Sequence, residues 1–167
     1  MNYSFARTVR FLSVALVACS CGGANAATVT SSFTTQITIA ATCIINNTNT
    51  LNFGGAVGVL SADVDQTTTM AVQCTNTTPY NIGLNVGTGS GATVAARKMT
   101  GGAATVTYTI YRDAGRTLVW GNTVATDTLS GTGNGASQTL TLYGRVPAQT
   151  TPAPGLYTDS ITVTVTF

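Results

Sequence analysis

Side chains that could do acid–base or nucleophilic chemistry are few in this chain of 167 residues. Histidine and glutamate are absent, and the five acidic residues are aspartates scattered from Asp63 to Asp159. Without histidine there is no Ser-His-Asp or Cys-His arrangement, and no base is at hand for a serine or threonine nucleophile. The commonest zinc ligand is missing as well. We therefore expect no enzyme activity, no catalytic residue, no metal site and no cofactor.

The acidic residues that lie nearest to one another are Asp63 and Asp65. Two carboxylates at alternate positions could share a calcium ion, but calcium takes about six to eight oxygen ligands, and no companion acids or EF-hand pattern accompany this pair. We expect both to be solvated loop residues. For Arg112, Asp113 and Arg116 we expect a tight turn, because a turn aspartate can bond its own backbone.

Charge and aromatic residues narrow the range of partners. Seven basic and five acidic residues give a formal net charge of +2, too little for the basic face that phosphate backbones require. Neither nucleic acid nor a small-molecule substrate is expected. Trp120 and the tyrosines at 108, 111, 143 and 157 could form the sugar-stacking platform of a carbohydrate-binding module, but they lie within alternating strands and are expected in the core.

Residues 1–26 are predicted to be a secretory signal peptide. Two arginines precede an apolar stretch from Phe11 to Cys21, and residues 24–26 have small side chains at the spacing of a cleavage site. Cleavage is expected between Ala26 and Ala27. Because the apolar stretch is well short of the roughly 20 residues that span hydrocarbon, no transmembrane segment is expected in the mature chain.

The four cysteines divide between the signal peptide and the exported chain. Cys19 and Cys21 fall in the predicted signal peptide, which leaves Cys43 and Cys74 as a pair in an oxidising compartment where a disulfide is the expected state. A competing interpretation is a lipoprotein cleavage box at residues 16–19, which would place a lipid on Cys19.

The rest of the chain has the pattern of short β-strands. Threonine occurs 34 times, and apolar and polar residues alternate over 68–74, 80–86 and 106–110 between loops rich in glycine and proline. A turn at 112–115 predicts a hairpin between 106–110 and 118–120. The spacing favours an all-β, immunoglobulin-like sandwich with Greek-key connections.

The start of the exported chain has more strand-like sequence than a sandwich needs. From Val29 to Ala41 the odd positions are apolar except for Ser31 and Thr35, and the even positions are mostly threonine. Continued to Cys43, the segment covers about 15 residues, whereas strands in sandwiches seldom exceed ten. This surplus predicts a donor-strand arm at 27–37. The side chains expected to act as donors are Val29, Phe33, Ile37 and Ile39.

The end of the chain has the opposite peculiarity. Alternation is regular from Tyr157 to Phe167, and no later strand follows to cover the edge of this one. We expect a sandwich domain at 38–167 that lacks its final strand, completed by the arm of another subunit. Such a head-to-tail contact produces a fibre when it does not close. The acceptor side chains are expected to be Tyr157, Ile161, Val163, Val165 and Phe167.

Short motifs distributed over the exported chain carry a resemblance to a known family. They are Ala41-Thr42-Cys43, Leu51-Asn52-Phe53-Gly54, Val72-Gln73-Cys74, Tyr108 to Asp113 with Arg116-Thr117, Tyr143-Gly144-Arg145, and Pro154 to Asp159 running into Val163 to Phe167. In this order they resemble the spore coat protein U-like domain family, which includes the pilins of archaic (Csu-type) chaperone-usher pili.

The resemblance implies an incomplete immunoglobulin-like pilin. Its implied partners are a periplasmic chaperone that covers the final strand, an outer-membrane usher, and other subunits joined by donor-strand exchange into a head-to-tail homopolymer. It also implies that Cys43 and Cys74 join the first two strands. The expected product is a surface pilus of a Gram-negative bacterium that supports attachment and biofilm formation. The single domain favours a shaft subunit; the alternatives are a spore-coat or matrix protein and, less favoured, a carbohydrate-binding module.

Overall fold

The computed structural model describes residues 26–55 and 57–167. Contacts divide the chain into a unit that ends at Ile37 and a unit from Thr38 to Phe167. The described residues form eight strands, all in the second unit: β1 (Cys43–Thr48), β2 (Val64–Cys74), β3 (Pro79–Leu84), β4 (Arg97–Gly101), β5 (Ala104–Tyr111), β6 (Leu129–Thr132), β7 (Ser137–Val146) and β8 (Val163–Thr166).

The strands form two antiparallel sheets. One has the order β1-β2-β7-β5-β4 and the other β6-β3-β8. The longest pairing joins β2 and β7, from Val64 opposite Val146 to Gln73 opposite Ser137. The two sheets thus follow a Greek-key order in which strands distant in sequence are neighbours, and the predicted all-β class is confirmed.

The core is built from the alternating residues that the sequence indicated. Met70 and Val72 of β2 are buried together with Ile82 and Leu84 of β3, so both sheets contribute side chains to one cluster. Trp120 is fully buried, and its indole Nε1 donates to the carbonyl of Ile82 at 2.8 Å. These positions confirm the predicted inward faces of the segments at 68–74 and 80–84.

The hairpin predicted after β5 needs correction. The predicted hairpin partner at 118–120 is reduced to a bridge between Tyr111 and Val119. The strand that pairs along β5 is instead β4, where the register runs from Arg97 opposite Tyr108 to Gly101 opposite Ala104. Apolar and polar residues do not alternate in β4, because its first two residues are charged.

The last predicted strand is regular over a shorter span than expected. β8 begins at Val163, although the alternation of half-buried and exposed side chains continues back to Tyr157. Thr158 forms an isolated bridge with Thr100 of β4. Residues 157–162 are therefore extended, but within the described residues they do not join the β-ladder that β8 makes with β3.

In the described part of the chain, no helix has the length and apolar character to cross a membrane. The predicted signal peptide lies outside the described residues except for Ala26. Ala26 and Ala27, which flank the predicted cleavage point, are both exposed.

Candidate functional site

The site is built around the edge of the three-stranded sheet. Among the described residues β8 has one hydrogen-bonded neighbour, β3. Thr158, in the segment before β8, exchanges two backbone hydrogen bonds with Thr100. The carbonyl of Thr162 accepts from Asn85 N, and Thr162 N donates to the side-chain Oδ1 of Asn85. Because alternate residues of an extended chain direct their N–H and C=O groups to opposite edges, the odd-numbered residues from Tyr157 to Val165 present theirs to the other, uncovered edge.

A cleft of about 1160 Å³ opens beside this edge. One wall, called here the wall at 48–60, consists of residues 48–55 and 57–60 after β1, and the other is the segment 151–163 that leads into β8. The floor is apolar and consists of core side chains: Met70, Leu84, Val106, Tyr108, Ile110, Leu142 and Val146. The cleft follows the line where one more strand would lie, and its floor side chains, each at most 8% exposed, are the adjoining face of the core.

The wall at 48–60 was missed as part of the site by sequence reasoning. Leu51 and Phe53 are its half-buried apolar residues, and the ring of Phe53 packs edge-on against Tyr108 with centroids 5.9 Å apart. Their approach to β7 depends on Gly144, since a Cβ there would lie 2.7 Å from Leu51 Cδ2 and 2.8 Å from Phe53 Cζ. The alternation of Leu51 and Phe53 was the available signal.

The two walls are joined at one end. Leu60 N donates to Thr151 Oγ1 at 2.8 Å, and the carbonyl of Leu60 accepts from Gln149 N at 3.0 Å. Gln149 in turn bonds both the N–H and the C=O of Thr107 through its side-chain amide. These bonds hold the walls apart at a fixed spacing without filling the space between them.

A second cavity of about 750 Å³ lies at the other end of β8. It is lined by residues 39–42 and Ile44 on one side and by Phe167 on the other. Phe167 was predicted to face inward, but 57% of its surface is exposed. Tyr157, Ile161, Val163 and Val165, the other predicted acceptor residues, are half-buried against the core as expected for an inward face.

Asp159 is the one charged residue on this inward face. Its Oδ2 accepts from the Tyr108 hydroxyl at 2.7 Å, and its Oδ1 accepts from Thr88 N at 2.7 Å, Thr88 Oγ1 at 2.8 Å and Ser160 N at 2.8 Å. Burial raises the pKa of the Asp159 carboxyl, but these hydrogen bonds outweigh burial and lower the pKa overall. Burial, and then the bond to Asp159, raises the pKa of Tyr108.

A buried arginine supports the floor of the site. No pattern in the sequence predicted its burial. Arg97 is fully buried, and its guanidinium donates to four backbone carbonyls, those of Leu84, Asn85, Val94 and Trp120, at 2.7 to 3.1 Å. Burial lowers the pKa of Arg97, and the nearby acidic groups partly oppose this. The cation is thus solvated by the backbone of the loops around it.

Asp63 is an exposed loop residue, as predicted, but Asp65 lies in β2. Arg145 donates to both carboxylate oxygens of Asp65, at 2.7 and 2.8 Å, and lies 3.2 Å from Asp63. Arg116 is 3.3 Å from Asp65. The hydrogen bond from Arg145 lowers the pKa of Asp65, with burial opposing it. Strand pairing of β2 with β7 places Asp65 directly opposite Arg145, a register that the sequence alone did not reveal.

The turn after β5 confirms the role expected for Asp113. Its carboxylate accepts from the backbone N–H groups of Thr117 and Leu118, the shorter bond being 2.7 Å. Arg116 has a φ of 55°, which the turn requires. Asp113 thus fixes the turn locally, while Arg116 reaches the ion pair on the sheet.

Cys43 and Cys74 form a disulfide. They stand directly opposite each other in β1 and β2, with Cα atoms 4.1 Å apart, so the predicted bond between the first two strands is confirmed. A cross-link that closes a loop of this length contributes about 3 to 4 kcal/mol in the chain-entropy model. It secures β1, from which the wall at 48–60 continues.

The predicted arm makes no strand in the structure, and residues 26–42 are exposed. The four predicted donor side chains are between 78% and 96% exposed, so almost none of their apolar surface is removed from water. They are Val29, Phe33, Ile37 and Ile39. Four large apolar side chains exposed on one short segment are unusual for a folded chain. Their role as donors stays a prediction.

The chain matches the family model of the Spore Coat Protein U domain over residues 29–164. It belongs to this family. Protein U of Myxococcus xanthus is 34% identical over 158 residues, which cover 86% of this chain and 88% of that protein. The match includes most of the arm, both walls of the cleft and the first two residues of β8, and it confirms the resemblance found in the sequence motifs.

A solved structure shares the fold. It is the CsuC-CsuE chaperone-tip adhesion subunit pre-assembly complex from archaic chaperone-usher Csu pili of Acinetobacter baumannii, with a TM-score of 0.54 and 20% identity. The similarity covers 78% of this chain and 41% of that chain, so this chain spans about two fifths of its length. Together with the open cleft, the likeness establishes the fold as an incomplete immunoglobulin-like sandwich.

Proposed function

We propose that this protein is a structural subunit of a surface pilus, assembled by the chaperone-usher pathway through donor-strand exchange. The observation that carries the proposal is the apolar cleft beside an uncovered strand edge in a chain that also has an unpaired, amphipathic arm. Residues 27–37 of one subunit would enter the cleft of the next. Attachment to surfaces and biofilm formation would be functions of the assembled fibre.

The energetics of strand addition support this use of the arm. Burial of a Val, Ile or Phe side chain is worth about 1.5 to 3 kcal/mol. Three or four donor side chains would therefore supply roughly 5 to 12 kcal/mol before the cost of ordering the arm, and ladder hydrogen bonds to the odd-numbered residues before and within β8 would add to this. The same side chains are at least 78% exposed before such an insertion, so their apolar surface is available for burial.

The partners follow from the same site. A subunit with an open core would aggregate in the periplasm unless another protein covered the cleft, which is the task we assign to a chaperone. The related fold occurs in a chaperone–subunit complex of Csu pili, which supports this partner. An outer-membrane usher would then receive the subunit, and a Gram-negative cell surface would be its destination.

Removing the arm tests the proposal. Deletion of residues 28–35 removes Val29 and Phe33 but leaves the cleft intact. We expect polymer ladders on unheated gels to disappear while the subunit still accumulates in complex with its chaperone. Ladders that persist would reject the donor role. A matched control replaces Thr30 and Thr34, on the opposite face of the arm, by serine, and should polymerise normally.

A second candidate function is that of a structural protein in a spore coat or extracellular matrix. The family description and the 34% identity to Protein U favour it. The same strand exchange could build such a layer. Genes for a chaperone and an usher beside the gene for this protein would support the pilus, and their absence would favour the coat.

A further inference from the structure

The odd-numbered positions of the arm and of the segment that ends in β8 include polar side chains. These side chains need hydrogen-bond partners when the arm fills the cleft. On the arm, Ser31 and Thr35 interrupt the apolar series at odd positions. On the acceptor side, Asp159 is the charged residue among Tyr157, Ile161, Val163 and Val165. A polar group enclosed without a partner costs about 1 to 3 kcal/mol, so the alignment of these positions matters.

Asp159 has room for one more hydrogen bond. Among the described residues its Oδ2 accepts a single bond, from the Tyr108 hydroxyl at 2.7 Å, whereas Oδ1 already accepts three. An ionised carboxylate has about four acceptor sites, two on each oxygen, and Oδ2 has the one that none of these donors occupies. Asp159 also lines the cleft. A hydroxyl that enters the cleft beside Asp159 would give Oδ2 a second donor.

The strand direction limits which hydroxyl this can be. Every pairing between the named strands is antiparallel, and antiparallel pairing is slightly more stable per residue. In an antiparallel arrangement with Ser31 beside Asp159, β8 would lie opposite residues 24–27 and the donor residues would miss it. With Thr35 beside Asp159, residues 28–31 lie opposite Val163–Thr166 and the whole edge is covered.

We propose that the arm of a second copy inserts antiparallel to β8 in the register that places Thr35 beside Asp159, and that this polar pair sets the register. The proposal rests on the proposed function. In this register Phe33 lies beside Ile161, over the apolar floor, and Ile37 lies beside Tyr157. Val29 lies beside Val165. A slip by two residues keeps the apolar alternation but leaves Asp159 beside Phe33 or Ile37.

Cysteine pairs across the two copies test the register. The full-length chain is exported with Val29→Cys combined with Val165→Cys, with Val163→Cys, or with Tyr157→Cys. These pairs report the proposed register, the two-residue slip and the parallel arrangement respectively, because a disulfide needs Cα atoms about 4.4 to 6.8 Å apart. We expect ladders that survive boiling without reductant for the first pair and for neither of the others.

The role of the polar pair is tested in the same assay. Thr35→Val keeps the shape of the side chain but removes the hydroxyl, while Thr35→Ser keeps the hydroxyl. A hydrogen bond to a charged group is worth about 1.5 to 3 kcal/mol, so Thr35→Val should raise the ratio of slipped to in-register cross-links by about tenfold or more. Thr35→Ser should leave the ratio unchanged. An unchanged ratio in Thr35→Val would overturn the role of the pair.

The outcomes separate this inference from the function on which it rests. Unheated ladders with boiling-resistant cross-links only in the slip or parallel pair would reject the register and retain donor-strand exchange. Absence of unheated ladders from the wild-type chain, exported with its chaperone and usher, would reject the proposed function and the register with it.

Discussion

At the residue scale, the least expected feature is the buried guanidinium of Arg97. Four backbone carbonyls depend on it for hydrogen bonds, and they belong to three separate loops or strand ends around the floor of the cleft. Arginine suits this position because its five N–H donors spread in a fixed plane, whereas a lysine ammonium is a compact point charge with three donors.

Arg97→Lys should therefore destabilise the fold although it conserves the charge. At least one or two buried carbonyls would lose a donor, so we expect a loss of about 2 to 4 kcal/mol in the free energy of unfolding. The measurement is the urea midpoint at neutral pH. Lys98→Arg, one residue further along β4 and only half-buried, is the matched control and should change stability by less than about 0.5 kcal/mol. Equal midpoints for the two variants would contradict this role.

The ionisation of Asp159 should make the stability of the folded protein depend on pH. Its pKa is lowered in the folded state, so the stabilisation is present above the unfolded pKa, ordinarily 3.8, and is lost as the pH falls through the lower, folded value. Asp159→Asn removes this ionisation. We expect the urea midpoint of the variant to fall less steeply with acid than that of the wild type. Parallel curves would show that Asp159 carries none of the dependence.

At the element scale, the cleft exists because two segments that carry no regular pairing are held as walls. Leu51 and Phe53 reach β7 only because Gly144 lacks a side chain. Leu60 and Thr151 tie the two walls together. The walls are thus positioned by close packing and a few hydrogen bonds, and their shape should be sensitive to substitutions that the strands themselves would tolerate.

Gly144→Val tests the packing of the first wall. The added side chain would overlap Leu51 and Phe53, so we expect a loss of about 1 to 3 kcal/mol from overpacking, measured as a shift in the denaturation midpoint. Gly155→Val places the same side chain where a Cβ meets no atom within 4 Å. That control should stay close to the wild type, and a similar loss in both variants would contradict the packing argument.

Some strands could be predicted from the sequence alone, and others could not. β2, β3 and β5 were predictable because one face of each is buried and the alternation has a period of two. β4 was not, because Arg97 and Lys98 hide its pattern and the partners of Arg97 are backbone atoms. Residues 157–162 alternate as predicted, yet form no ladder, since a strand needs a partner as well as a pattern.

Part of the candidate site could also be predicted from the sequence, and part could not. The inward positions of Tyr157, Ile161, Val163 and Val165 were predictable from their periodicity, and their role as acceptors stays a prediction. The wall that follows β1, the pairing of Asp65 with Arg145 and the bonds of Asp159 all depend on contacts between residues about 50 to 90 positions apart in the chain. Such contacts leave no periodic signal in a single sequence.

At the scale of the whole molecule, the proposed function requires the exposed amphipathic arm to be complementary to the apolar cleft. If the arm fits the cleft, the chain should form a complete sandwich when a copy of its own arm is attached so that it can lie beside β8. The antiparallel register makes this simple, because a strand appended after Phe167 can fold back beside β8 through a hairpin turn of about two to five residues.

The most direct measurement uses a chain that lacks residues 27–37 at its start and carries residues 27–39 after Phe167, joined by such a turn. We expect a monomer by light scattering, with a thermal midpoint at least about 10 °C above that of the chain without the appended strand. The same fusion with Phe33→Asp in the appended strand should lose this gain. Equal midpoints with and without the appended strand, in a chain that is monomeric either way, would contradict the account.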